Sequence, residues 1–150
     1  MVMAHKHEGE TLLIGRHSRK LELLHDRMET VLETELSPNR HHQWDIVVEA
    51  SGTTQGLNLA MNLVRPRGTI ALKSTMAHSE SLDLTPLVID EVTVVGSRCG
   101  RFQPALSLLA KGVLPLGRLI EAVYPFDRAL DAWNRAAGKG AKKVLLKMID

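Results

Sequence analysis

Four short turns carry the residues best able to do chemistry. Arg16-His-Ser-Arg19-Lys20 follows the apolar run Thr11-Leu-Leu-Ile-Gly15 and gathers three permanent cations in five residues. Guanidinium and ammonium groups so placed make charge-assisted bonds to a phosphate; the plainer alternative is a solvated cationic turn. Ala50, Ser51 and Gly52 follow a second apolar run, and their small side chains leave room for a sugar or a flat ring to lie across it. Leu72, Lys73 and Ser74 close a third run, and Ser97, Arg98 and Cys99 a fourth. Taken singly, such residues are turn chemistry. Their recurrence after successive apolar runs is what points to a ligand.

Other polar groups point less far. Cys99 reads as an inert residue after a strand rather than a nucleophile, because no His and acid pair is implied beside it. His5, His7, His41 and His42 have chelating spacings, yet no acidic or Cys partner is placed with them, so no metal site is expected. Asp45 and Glu49 share a face by period two, but they start and end one strand and stand too far apart for an acid/base pair.

The elements that position these turns follow from the apolar patterning. Asp45-Ile-Val-Val-Glu-Ala-Ser-Gly52, Arg67-Gly-Thr-Ile-Ala-Leu-Lys-Ser-Thr75 and Val92-Thr-Val-Val-Gly-Ser-Arg-Cys-Gly100 are continuous Val/Ile/Leu runs without alternation. Such runs belong to strands of a parallel sheet covered on both faces, and ligands of such sheets sit at the carboxyl ends of the strands. Thr11–Gly15 is a further strand and Thr30–Leu32 a weaker one. Between strands, Ser18 is placed to cap a helix carrying Leu21, Leu24 and Met28. Leu57, Ala60, Met61 and Val64 form one helix face, stopped by Pro66 and Gly68. Leu82–Ile89, interrupted by Pro86, suits an edge strand. A helix over Phe102–Lys111 turns Leu106, Leu109 and Ala110 inward. It is followed by a strand at Leu119–Tyr124, a helix over Phe126–Ala137 with Leu130 and Trp133 on its apolar side, and a last strand at Lys143–Met148. Strand and helix alternate, which predicts an α/β fold with a doubly wound, mostly parallel sheet.

Composition narrows the function classes. With 150 residues, 44% hydrophobic and 24% charged, the chain can bury one core of ordinary size. A net charge of +2 and 3% aromatic content leave little for a nucleic acid to bind or stack on. One cysteine excludes an internal disulfide framework and is compatible with a reducing compartment. The amino terminus lacks the apolar core of a signal peptide, and no run is long enough to cross a bilayer. A cytoplasmic protein without membrane or nucleic-acid partners is expected.

Taken together, GRHSRK, DIVVEASG, VRPRGTIALKS, VTVVGSRCG and YPFDRALDAWNRAAGKGAKKVLL resemble the medium-chain dehydrogenase/reductase superfamily, the zinc-type alcohol dehydrogenases. The resemblance spans nearly the whole chain. It implies a Rossmann-like cofactor domain over residues 1–116 and, over 117–150, a tail that in the family returns to the catalytic domain. It covers only the carboxyl-terminal half of a family subunit: the first strand and its G-x-G-x-x-G turn fall before Met1, as does the domain that carries the zinc ligands. The implied cofactor is NADP or NAD. Arg16, where NAD-preferring sheets present an acid to the ribose, with Arg19 and Lys20, favours a 2′-phosphate and hence NADP. The resemblance further implies that backbone groups of the 72–74 and 97–99 turns hold the nicotinamide carboxamide, and that Lys143 reaches the pyrophosphate. No catalytic residue and no zinc ligand is assigned within the chain.

In the order 3-2-1-4-5-6 the family's first strand lies between the strand at Thr11–Gly15 and the one at Asp45–Glu49. Strands pair about 4.8 Å apart, so its neighbours must pair directly, exchange a strand with another copy, or take one from a partner. The stakes are large: buried side chains contribute roughly 1.5 to 3 kcal/mol each, against about 5 to 15 kcal/mol for a whole domain. The tail strand likewise has its family partner elsewhere. With segment 82–89 resembling the strand that extends the sheet across two subunits, a homodimer is expected. Two functions follow from different classes: the cofactor-binding portion of an alcohol or polyol dehydrogenase, inactive alone, or a non-catalytic oligomerisation or nucleotide-sensing module.

Overall fold

All strand pairings in the computed structural model, which describes residues 9–75, 81–112 and 116–148, are parallel. In chain order the elements are β1 (Leu12–Gly15), α1 (Ser18–Leu21), β2 (Glu29–Leu32), β3 (Trp44–Glu49), α2 (Thr54–Leu63), β4 (Val64–Leu72), α3 (Thr85–Ile89), β5 (Thr93–Gly96), α4 (Phe102–Ala110), β6 (Ile120–Pro125), α5 (Ala129–Ala137) and β7 (Lys143–Lys147). They make three sheets, β1-β2, β3-β4-β5 and β6-β7. By packing, the chain divides into two units: residues up to Leu36 together with those from Arg101 onward, and Ser37–Gly100. The strand–helix alternation thus yields the parallel α/β arrangement its patterning predicts.

In the Ser37–Gly100 unit, α2 lies on one face of the three-stranded sheet. Thr53 caps it, its hydroxyl accepting from the Gly56 amide at 3.1 Å, which satisfies an amide at the helix start that has no intrahelical acceptor. Leu57, Ala60 and Met61 of α2 form the core with Val64 and the fully buried Ile70, and Val47, Leu72, Leu82 and Leu87 pack against it. The opposite face is uncovered among the described residues. Val48 and Val95, in one register row through Ala71, are each 46% exposed, so coverage on both faces, expected from the apolar runs, is realised on one.

Several expectations need correction. Leu82–Ile89 is not an edge strand: α3 occupies Thr85–Ile89, with Pro86 in its first turn, where a missing N–H costs nothing. Asp83 Oδ1 accepts from the Thr85 amide at 2.9 Å at that start, and Leu87 turns into the core. A dimer built by strand addition at 82–89 therefore loses its strand. Strand β4 begins at Val64 rather than Arg67. Its pairing skips from Trp44↔Val64 to Ile46↔Thr69, and Pro66 is absorbed in that irregularity. Ser18 is the first residue of α1; the cap position is His17, with no side-chain cap bond, and the helix ends after one turn.

In the other unit β1 pairs with β2 in register Leu12↔Glu29 to Gly15↔Leu32. The tail strand finds its ladder partner within the chain, since β7 pairs with β6. Its side chains stay open: Leu146 is 42% and Met148 66% exposed. Helices α4 and α5 bury Leu108 and Ala132, whereas Leu106, Leu109, Leu130 and Trp133, expected inward, are exposed. Strands β1 and β3 belong to different sheets, so they do not pair directly.

Candidate functional site

The turn after β1 is shaped by Gly15. A Cβ there would stand 2.9 Å from Leu21 Cδ2, so glycine lets the α1 turn fold back onto the strand with Leu21 buried beneath it. The His17 carbonyl accepts from the amides of Lys20 at 2.9 Å and Leu21 at 3.2 Å, which closes that turn. Arg16, Arg19 and Lys20 consequently line a cavity of about 1000 Å³. Arg16 Nε lies 3.4 Å from Glu33 Oε2. The side chains of Arg19 and Lys20 have no ion-pair or hydrogen-bond partner among the described residues.

The facing wall comes from the tail, far away in sequence: Arg118, Glu121, Arg135, Lys139, Gly140 and Lys142. Glu121 is held from two sides, by an ion pair with Arg135 and by the Lys142 amide at 2.7 Å. Arg118 Nη1 is 3.4 Å from Asp26 Oδ2, and its carbonyl accepts from Lys142 Nζ at 3.1 Å. Around the cavity seven guanidinium or ammonium groups face two carboxylates, Glu22 and Glu121. Such a concave cationic surface attracts polyanions. Lys143 lies exposed on β7 outside this lining, and its neighbour Lys142 is part of it.

The remaining strand-end turns meet at one sheet edge, because Glu49, Leu72 and Gly96 are in register. Lys73 binds the Glu49 carbonyl through its amide at 2.8 Å, and the Ser97 amide binds the Leu72 carbonyl at 2.9 Å. Lys73 Nζ donates to Ser97 Oγ at 3.1 Å and to the Arg98 carbonyl, tying the 72–74 turn to the 97–99 turn. Ala50 and Cys99 are exposed. Gly52 has φ +72 and needs to be glycine to turn the chain away from β3.

Sequence reasoning overlooked the hub of this edge. Glu49 is 6% exposed, and its Oε1 accepts from the Ser51 amide and hydroxyl, each at 2.6 Å, and from the Gly52 amide at 3.2 Å, while Oε2 accepts from the Ser74 hydroxyl. Burial pushes its pKa up, but the bonds from Ser51, Ser74 and Gly52 outweigh burial and hold the carboxyl below its ordinary 4.5. Gly56 admits this cluster, since a Cβ there would stand 1.9 Å from Ser51 Oγ. The available signal was a lone acid closing an apolar run before Ala50-Ser51-Gly52.

His41 and His42 stack edge to face at 6.4 Å between centroids, and His42 Nδ1 stands 4.0 Å from Asp90 Oδ2. His5 and His7 lie outside the described residues. Among the described residues no three His, Cys, Asp or Glu side chains come together as a metal would need, so a catalytic zinc does not fit here. No helix among the described residues is long and apolar enough to cross a membrane.

Parallel strands alternating with helices define an α/β protein of Rossmann type. The chain belongs to the zinc-binding dehydrogenase family, whose profile matches residues 9–111. It is similar to a sorbitol dehydrogenase of Bombyx mori, 26% identical over 104 residues, which are 68% of this chain and 30% of that protein. It is also similar to a putative D-xylulose reductase of Rhizobium meliloti, 27% identical over 118 residues, covering 77% of this chain and 34% of the relative. The chain thus spans about a third of the length of these curated relatives. Among solved structures, L-idonate 5-dehydrogenase from Escherichia coli superposes with a TM-score of 0.84 at 23% identity, over 93% of this chain and 43% of that one. Staphylococcus aureus TarJ in complex with NADPH gives 0.83 at 16% identity, over 99% and 50%. At these identities the structural likeness shows the fold.

Proposed function

We propose that this chain is the nicotinamide-dinucleotide-binding portion of a zinc-type alcohol or polyol dehydrogenase of the cytosol, with NADP preferred over NAD. In that reading Arg16, Arg19 and Lys20 hold the 2′-phosphate of the adenosine ribose. Ala50, Ser51 and Gly52 leave space for the nicotinamide ribose, and backbone groups of the 72–74 and 97–99 turns orient the carboxamide. Hydride transfer itself would take zinc to polarise the substrate oxygen, and no such ligand set stands among the described residues. The chain alone therefore binds cofactor without oxidising alcohols.

One observation carries this reading: the side chains of Arg19 and Lys20 line the cavity after β1 with no partner among the described residues, so a phosphate there gains charge-assisted bonds without first breaking ion pairs. Bonds to charged groups are worth about 1.5 to 3 kcal/mol each, enough for a preference of tenfold or more. Fluorescence titration of NADPH is expected to show binding that weakens at least tenfold in Arg16→Ala/Arg19→Ala, with NADH affinity little changed. Equal NADPH affinity in wild type and variant removes the phosphate assignment.

A further inference from the structure

Of the three turns that meet at the sheet edge, the one at 97–99 has the least packed around it. Every residue of β5 is exposed, and no atom lies within 4 Å of where a Cβ would stand on Gly96 or Gly100, which flank this turn. The turn after β3 is the opposite case. A Cβ on Gly52 would stand 3.2 Å from the Thr75 carbonyl oxygen and 3.7 Å from Ser74 Cβ, so that turn packs against the one after β4, to which Glu49 also binds it. The 97–99 turn is tied instead by hydrogen bonds. The Ser97 amide binds the Leu72 carbonyl at 2.9 Å, and Lys73 Nζ donates to Ser97 Oγ at 3.1 Å and to the Arg98 carbonyl. Lys73 is itself anchored, its amide on the Glu49 carbonyl at 2.8 Å. A surface lysine ordinarily keeps its ammonium in water or on a carboxylate. This one has no carboxylate partner among the described residues and directs two of its three donors at a neighbouring turn.

We infer that Lys73 is a positioning residue for the nicotinamide end of the cofactor: its ammonium sets the 97–99 turn against the 72–74 turn, so that backbone groups of both address one ligand together. This rests on the reading of those two turns as the carboxamide site. It adds the side chain that holds them in place, as a binding constellation needs support from residues behind it. Without the ammonium, the Ser97 amide alone ties the turn to β4, and the Arg98 carbonyl loses its donor. The loss then falls on ligands that carry a nicotinamide and spares those that end at the adenosine.

Calorimetric titration of the intact chain with NADPH and with 2′,5′-ADP, which lacks the nicotinamide half, tests this. Lys73→Met keeps the apolar stem and removes the donors. It is expected to weaken NADPH roughly fivefold, the scale of one net hydrogen bond, and to leave 2′,5′-ADP within about twofold. Lys73→Arg, whose guanidinium can donate to both acceptors, should bring NADPH back to within about twofold of wild type. Amide exchange at Arg98 and Cys99 should quicken in Lys73→Met. Lys73 is exposed, so both variants are expected to fold, with urea midpoints as the check. Faster exchange with an unchanged ratio of NADPH to 2′,5′-ADP affinity would make Lys73 a structural tie only and overturn the inference, as would equal loss for both ligands. NADPH binding indifferent to Arg16 and Arg19 removes the 2′-phosphate assignment and leaves the role of Lys73 standing, whereas no NADPH binding by the wild-type chain would sink both.

Discussion

The Ser51 amide donates to Glu49 Oε1 at 2.6 Å, so the chain that leaves β3 is bent back onto the last residue of that strand. Four donors from Ser51, Gly52 and Ser74 converge on this one carboxylate, which thereby sets the turn after β3 against the turn after β4. Truncation strands donors in a partly buried place, where each unmet group costs up to about 1 to 3 kcal/mol. Glu49→Ala is expected to lower stability in urea by roughly 2 to 4 kcal/mol, and Glu49→Gln, which keeps one acceptor oxygen, by less. Equal stability of wild type and Glu49→Ala would show that the cluster contributes nothing to folding.

The same carboxylate makes stability depend on pH with a fixed sign. Its folded pKa lies below the ordinary 4.5, so the unfolded chain takes up the proton first as pH falls. The contribution is complete above 4.5 and is lost as pH drops through the lower folded value. Urea midpoints measured between pH 6 and pH 3 should fall more steeply for wild type than for Glu49→Gln below pH 4.5. Parallel profiles would assign the acid sensitivity to other groups.

How far the sequence was legible follows from which choices are local. Strands β1, β3 and β4 were readable because Leu12–Ile14, Ile46–Val48 and Ile70–Leu72 are apolar runs ended by small or polar turns. Helix α3 was not, because Pro86 suits an edge strand and a helical first turn equally; burial of Leu87 against the core decides, and that is a tertiary fact. The cationic turn at Arg16–Lys20 was visible, but its facing wall was not, since nothing local links Lys20 to Lys139. Which of Lys142 and Lys143 faces the cavity depends on the irregular register between Ile120 and Ala122, again invisible in spacing. Glu49 was seen as a carboxylate without its donors, which come from the turns after β3 and β4.

Two glycines separate steric necessity from mere occurrence. At Gly56 a Cβ would stand 1.9 Å from Ser51 Oγ and 3.1 Å from Glu49 Oε1, so Gly56→Ala must displace the Ser51–Glu49 contact. At Gly96 nothing lies within 4 Å of the same position. Gly56→Ala is expected to cost about 1 to 3 kcal/mol and Gly96→Ala to stay within about 0.5 kcal/mol, read from denaturation midpoints. A tolerated Gly56→Ala would mean that the turn after β3 can move without penalty.

The last prediction concerns the apolar stripe of the tail. Phe126, Leu130 and Trp133 recur at helical spacing with 57%, 80% and 74% of their surface exposed, while α5 buries only Ala132. Helical spacing places these three on one side, and an apolar side of this kind in water favours association. With the strand route at 82–89 gone, this stripe is the surface on which the proposed homo-oligomer best rests. Sedimentation of the isolated chain at tens of micromolar is expected to show species above 16.6 kDa, shifted toward the monomer by Leu130→Ser/Trp133→Ser. A wild-type chain that sediments as a monomer throughout would remove self-association from the account, and an oligomer indifferent to the double variant would move the contact elsewhere.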